Sequence, residues 1–156
     1  MNNYRAFPDH FSLAELSATS VPIPNIPTGH KLSTLRSVAW ILECVRSHVQ
    51  KPLYINSGYR NTEVNAKVGG VKNSFHTLGA AVDISIRNLN AHDRVILENS
   101  LLSYKPCEFI KYDTFWHVAF DISKLAISGM PVTWQDELPD FYEVAEVVDG
   151  SEDTDL

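Results

Sequence analysis

His76, Asp83 and His117 are residues whose types could together hold a divalent cation. Asp83 interrupts the otherwise apolar run "AAVDISI" at 80–86. A carboxylate buried without a partner costs several kcal/mol, so an aspartate inside such a run needs a cation or hydrogen-bond donors. His76 sits at the start of the turn that feeds this run, and Gly79, Ala80 and Ala81 keep that turn compact. His117 belongs to a second alternating run, "FWHVAF" at 115–120, in which Phe115, His117 and Ala119 share one face. If the two runs are neighbouring strands, Asp83 and His117 project to the same side. Two imidazoles and one carboxylate, with a fourth position open, form a ligand set for catalytic zinc. The competing reading has Asp83 capping a turn and His117 packing on an aromatic ring.

The elements that must position these residues are legible in the pattern. "FSLAEL" offers Ser12 as an N-cap with Glu15 three residues on, so a short helix should follow. The proline-rich stretch "SVPIPNIPTG" must be an irregular surface loop. In "KLSTLRSVAWILECVRSHV", Leu32, Leu35, Val38, Ala39, Leu42, Val45 and Val49 form one stripe, which predicts the strongest helix of the chain. "PLYINS" reads as a strand ended by Ser57-Gly58, and "NTEVNAKVGG" as a short helix capped by Asn61 or Thr62 and closed by Gly69. The run at 80–86 is a strand with Val82, Ile84 and Ile86 on one face and Ala81, Asp83 and Ser85 on the other. "NAHDRVILENSLL" is a second amphipathic helix capped by Asn90. "CEFIKY" and "FWHVAF" flank Asp113-Thr114 and predict a hairpin with a tight turn. The expected class is α+β: a small antiparallel sheet carrying the site, with helices packed on one side.

Ser74-x-His76-x-x-Gly79-x-Ala81-x-Asp83 resembles the signature of the zinc D-Ala-D-Ala carboxypeptidase family, peptidoglycan-cleaving enzymes related to hedgehog-type folds. "INSGYRN" ahead of it is similar to that family's S-G-Y-R segment, and "FWHVAF" resembles its late W-H strand. "FSLAEL", the "PN" of the proline-rich loop and "VNAKVGG" resemble its phage and bacterial branch. The likeness runs over about residues 10–122.

The resemblance implies His76, Asp83 and His117 as ligands of Zn2+, with the fourth position left for water. It implies Arg60 as the substrate-binding arginine, whose guanidinium can hold a peptide carboxylate bidentately. From its own neighbourhood alone, Arg60 would be read as a surface residue after a turn. The general base is where the chain departs from its relatives. They carry Glu or Asp three residues before the last ligand, and here that position is Thr114. Asp113 is the first choice for the base, provided the turn folds back toward the site. Glu108 is the second choice, on the same face as His117 and diagonal to it. Asp113 as a residue that merely shapes its turn is the alternative. Ser74 is expected to hydrogen-bond the loop that aims His76. His10, His30, His48 and His92 match no ligand position.

The chain's 156 residues suit one domain with a sizeable core. Two cysteines, Cys44 and Cys107, are too few for a disulfide scaffold and read as free thiols. The net charge of −6 is unevenly spread: from Trp134 to Leu156 there are nine acidic residues and no Lys or Arg. Residues 1–133, expected to form the zinc peptidase domain, hold 13 basic and 10 acidic side chains. Residues 134–156 read as an acidic tail, partly disordered, with a basic partner as one use for it. The expected partner of the body is a peptidoglycan stem peptide, with no nucleic acid and no membrane insertion. The N-terminus lacks the basic and apolar segments of a signal peptide, so synthesis in a cytoplasm is expected. A phage lysis or entry enzyme, released to the wall or carried in a particle, fits that setting. A catalytically weak zinc-containing binding or virion-associated module is the other reading.

Overall fold

The computed structural model describes residues 6–121 and 147–149. The first helix, α1, spans Leu13–Leu16, and the Ser12 side chain caps it by accepting from the Glu15 backbone N–H. The long helix α2 covers His30–Val49 and ends at Gln50 in the left-handed conformation. Its buried face is wider than the expected stripe, since Thr34, Ser37, Trp40 and Ile41 are buried too. Trp40 packs here and donates its indole N–H to the Ala6 carbonyl at 2.7 Å.

Strand β1 is only Ile55–Ser57, shorter than the pattern suggests. Its register against the next strand shifts between Ile55 and Ser57, and Pro52 has no N–H to extend the ladder. Helix α3, Thr62–Lys67, is capped by Asn61, which accepts from the Val64 N–H, and Gly69 follows at φ +74°. A 3₁₀ turn over Phe75–Leu78 leads into strand β2, Ala81–Ser85, buried along its whole length. Helix α4, Ala91–Ser103, begins with a complete capping box between Asn90 and Asp93. Strands β3, Glu108–Lys111, and β4, Phe115–Ala119, form the hairpin around Asp113-Thr114.

The sheet order is β1-β2-β4-β3-β5, with β1 to β4 all antiparallel to their neighbours. Strand β5, Val147–Asp149, lies parallel to β3 at the edge. It falls within the segment expected to be an acidic tail; the rest of 134–156, and the expected boundary at 133, lie outside the described residues.

Alternation divides the sheet into two faces. Val82 and Ile84 of β2, Trp116 and Val118 of β4 and Phe109 of β3 join one core with Leu35, Val38, Leu42 and Val45 of α2 and Leu97 and Leu101 of α4. Each such side chain contributes about 1.5–3 kcal/mol by leaving water. Ala81, Asp83, Phe115, His117 and Glu108 therefore share the opposite face. The fold is α+β with α2 and α4 on one side of the sheet and the polar cluster on the other. Cys44 and Cys107 are free thiols. Among the described residues, no helix is long and apolar enough to cross a membrane.

Candidate metal centre

The 3₁₀ turn is what delivers His76. The Ser74 hydroxyl accepts from the His76 backbone N–H at 3.2 Å, and the Thr77 hydroxyl donates to the Ser74 carbonyl at 2.6 Å. Gly79 closes the turn at φ +74°, and a Cβ there would lie 2.5 Å from the Lys31 carbonyl oxygen. Only glycine combines that backbone with that approach of α2. His117 arrives from the other direction, as the Cα partner of Asp83 across the β2–β4 ladder. Side chains directly opposite in such a pair lie on the same face and within contact of each other.

Asp83 Oδ1 lies 3.1 Å from His76 Nε2 and 2.9 Å from His117 Nδ1. The two rings stand 5.2 Å apart at a tilt of 56°. His76 and Asp83 are buried, while the His117 side chain keeps 13% of its exposure. The outward nitrogens are also engaged. His76 Nδ1 donates to the Gly58 carbonyl at 2.7 Å, and His117 Nε2 is 2.7 Å from Glu108 Oε1. Every ring nitrogen of the cluster thus faces an oxygen that can only accept.

That count decides whether a cation fits. A neutral imidazole carries one N–H, so it can satisfy one of its two contacts. With the proton of His76 on Nδ1, the lone pair on Nε2 points at a carboxylate oxygen. The same conflict arises at His117 Nδ1 when its proton is on Nε2. A divalent ion among the three ligand atoms, which all lie within 4.8 Å of one another, turns both repulsive contacts into ligation. The residues fit a divalent metal.

In the metal-free protein a proton does part of that work. Burial opposes charge on His117, but hydrogen bonds to Asp83 and Glu108, with their charges, outweigh it and raise its pKa to about 9. Burial likewise pushes Asp83 up, yet the hydrogen bonds from His117 and His76, and their charges, hold it well below the usual carboxylate range.

A cleft of about 250 Å³ opens beside Asp83, with Thr19, Ser20, Ser57, Arg60 and Phe115 in its walls. Arg60 is a buried residue, not the surface arginine its neighbourhood alone suggests. Its backbone N–H donates to the His76 carbonyl at 3.1 Å, which ties the arginine to the turn that carries the ligand. Burial lowers the pKa of its guanidinium, and the charge of Asp83 works in the opposite direction.

The hairpin carboxylates are placed differently. Asp113 is exposed in a tight turn closed by the Tyr112 N–H to Phe115 carbonyl bond at 3.0 Å. Glu108 pairs with Ala119 across the ladder while Ile110 pairs with His117, so Glu108 is diagonal to His117 on its face. Among the other histidines, His10 is 2.7 Å from Glu43 and His48 is 2.8 Å from Ser100, while His30 and His92 are exposed.

A sequence model of the family described as Peptidase M15 matches residues 9–119, which contain every element named above except the last strand. The chain belongs to the peptidase M15 family. Members are metal-dependent peptidases acting on peptidoglycan-type substrates, and the resemblance noted in the sequence points to the same group. No curated protein sequence matches the chain.

Two supporting residues of this family member were not evident from the pattern. Gly58 is read in the sequence as a strand end and as part of the S-G-Y-R segment, with no role of its own, yet its carbonyl orients His76 and a Cβ on it would lie 2.2 Å from the Leu16 carbonyl oxygen. Asn25 is buried; its amide donates to the Ser17 carbonyl at 2.9 Å and the Tyr59 carbonyl at 2.8 Å, and its carbonyl accepts from the Asn61 N–H at 2.8 Å. It fastens the end of α1 to the Ser57–Arg60 segment. The S-G-Y-R segment and the "PN" of the proline-rich loop contain these two residues, but neither motif shows the contacts they make.

Proposed function

We propose that this metallopeptidase is a zinc enzyme that hydrolyses peptidoglycan stem peptides, of the D,D-carboxypeptidase or endopeptidase type. The observation that carries the reading is the His76–Asp83–His117 cluster opening beside a cleft that also holds Arg60. His76 Nε2, a carboxylate oxygen of Asp83 and His117 Nδ1 would hold the ion. Bound there, zinc would supply Lewis acidity to the scissile carbonyl and acidify water. Arg60 binds a substrate carboxylate and aligns the peptide along the cleft; its burial strengthens that attraction because little water competes. Asp113 is assigned the proton from the attacking water, with Glu108 as the alternative acceptor. A phage lysis or entry role, acting on the wall after release or from a particle, suits the enzyme, and the acidic segment is assigned a basic partner.

The test is digestion of purified sacculi, read by mass spectrometry of the fragments, with wild type, Asp113→Ala and Glu108→Ala in parallel. Cleavage at bonds to D-alanine or its neighbour, lost in Asp113→Ala with zinc still bound, is the expected result. Zinc-loaded wild type that cuts nothing would leave the binding-module reading in place. One observation favours that second reading: Asp113 is exposed in its turn and Glu108 is engaged by His117 Nε2, the nitrogen turned away from Asp83.

A further inference from the structure

Glu108 occupies a position that the role of general base does not explain. Its Oε1 lies 2.7 Å from His117 Nε2, while His117 Nδ1 lies 2.9 Å from Asp83 Oδ1. The two nitrogens of an imidazole point in diverging directions. A carboxylate on Nε2 therefore sits behind the ring, away from where Nδ1 and Asp83 converge. In that position it cannot reach a water in front of the ligands, but it can hold the ring.

We infer that Glu108 is the positioning residue that makes His117 a ligand through Nδ1, by accepting the Nε2 proton and fixing the ring's tautomer and tilt. The sheet builds this contact. Ile110 pairs with His117 and Glu108 pairs with Ala119, so Glu108 reaches His117 along the diagonal. Its backbone is anchored by the ladder and by the neighbouring Cys107 N–H to Ala119 carbonyl bond at 2.8 Å. His76 receives the complementary treatment: its Nδ1 donates to the Gly58 carbonyl, which leaves Nε2 for the ion. One ligand is therefore oriented by a neutral carbonyl and the other by a carboxylate. A carboxylate on the far nitrogen also makes the ring a stronger donor to a metal, and losing such a partner weakens metal binding roughly 10–100-fold. With Glu108 committed behind the ring, it is not placed to take a proton in front of the ligands.

The inference rests on the zinc reading, and the experiment separates the two. Zinc affinity is measured by chelator competition for wild type, Glu108→Gln and Glu108→Ala, and the His117 tautomer is read in the zinc-loaded wild type by ¹⁵N NMR of the imidazoles. Glu108 is partly exposed at the side chain, 39%, so both variants should fold; matching circular dichroism checks it. The expected results are three. Glu108→Ala binds zinc about 10–100-fold more weakly. Glu108→Gln, which keeps an acceptor oxygen, recovers most of that loss. The wild-type His117 carries its proton on Nε2. Unchanged affinity in Glu108→Ala, or His117 protonated on Nδ1 in the zinc-loaded protein, overturns the inference and leaves the zinc site standing. A wild type that binds no zinc overturns the functional reading itself. If both variants keep full zinc affinity and lose only turnover, Glu108 is the base instead.

Discussion

Asp83 lies between two imidazoles, and its partners change with metal and with pH. Asp83→Ala removes the only carboxylate of the ligand set and should weaken zinc binding more than about 100-fold, beyond what loss of a supporting residue costs. Chelator competition measures it, and affinity near that of wild type would contradict the ligand assignment. The metal-free protein should have a stability maximum in weak acid. The pKa of His117 is raised from 6.5 to about 9, so its contribution is fully present below about pH 6.5 and fades as pH rises through 9. The pKa of Asp83 is lowered from 3.8, so its contribution is present above that value and fades on acidification. Urea midpoints measured with chelator present should therefore peak between about pH 4 and 6.5 and fall on both sides. A midpoint that keeps rising from pH 7 to 9 would rule this out. Legibility at this scale was uneven. Asp83 announced itself because a charge inside an apolar run must have a partner. The hairpin pattern places Glu108 diagonal to His117, as a candidate base, but which ring nitrogen its carboxylate meets depends on side-chain rotamers that the pattern does not carry.

At the scale of elements, the site depends on short segments rather than long ones. The Ser57–Arg60 segment supplies the carbonyl on His76, and it can do so because Gly58 lets it lie against α1. Gly58→Ala would place a methyl 2.2 Å from the Leu16 carbonyl oxygen, so one backbone must move. We expect a loss of stability of about 1–3 kcal/mol in urea unfolding, together with weaker zinc binding because the carbonyl on His76 shifts. Gly69→Ala is the control: it has φ +74° but nothing within 4 Å, so only backbone strain of about 1–2 kcal/mol applies and zinc binding should hold. Equal zinc affinity in both variants would remove Gly58 from the site's support. Caps and periodicity located α2, α3, α4 and the β3–β4 hairpin, since those signals are local. The 3₁₀ turn at Phe75–Leu78 had no such signal: its four residues are shaped by Ser74 on one side and by the approach of α2 at Gly79 on the other.

For the whole molecule, the metal should behave as a stabilising ligand. The three ligands come from the 3₁₀ turn, β2 and β4, so an ion joins parts of the fold that unfolding separates. Zinc at about 100 times its dissociation constant adds about 2.7 kcal/mol, which for a chain of this size corresponds to a rise in Tm of roughly 5–10 °C over the chelator-treated protein. An identical Tm with and without zinc would mean that the cluster does not bind it in the folded state. The α+β plan follows from the same separation of faces: apolar side chains on one side of the sheet meet α2 and α4, which leaves the other side for Asp83, His117 and Glu108.

From the sequence alone come the family resemblance, the helices, the two strands that carry the site and, through that resemblance, the three candidate ligands. Those follow from residue type and near-neighbour spacing, which a chain carries before it folds. Only the tertiary structure decided which nitrogen of each histidine faces Asp83, that the Gly58 carbonyl and Glu108 hold the far sides of the rings, and that Arg60 is buried beside the cleft. The contacts of His117 depend on strand register, and a shift of one residue in the β2–β4 or β3–β4 ladder would undo them; those of Gly58 and Arg60 depend on backbones meeting from distant parts of the chain.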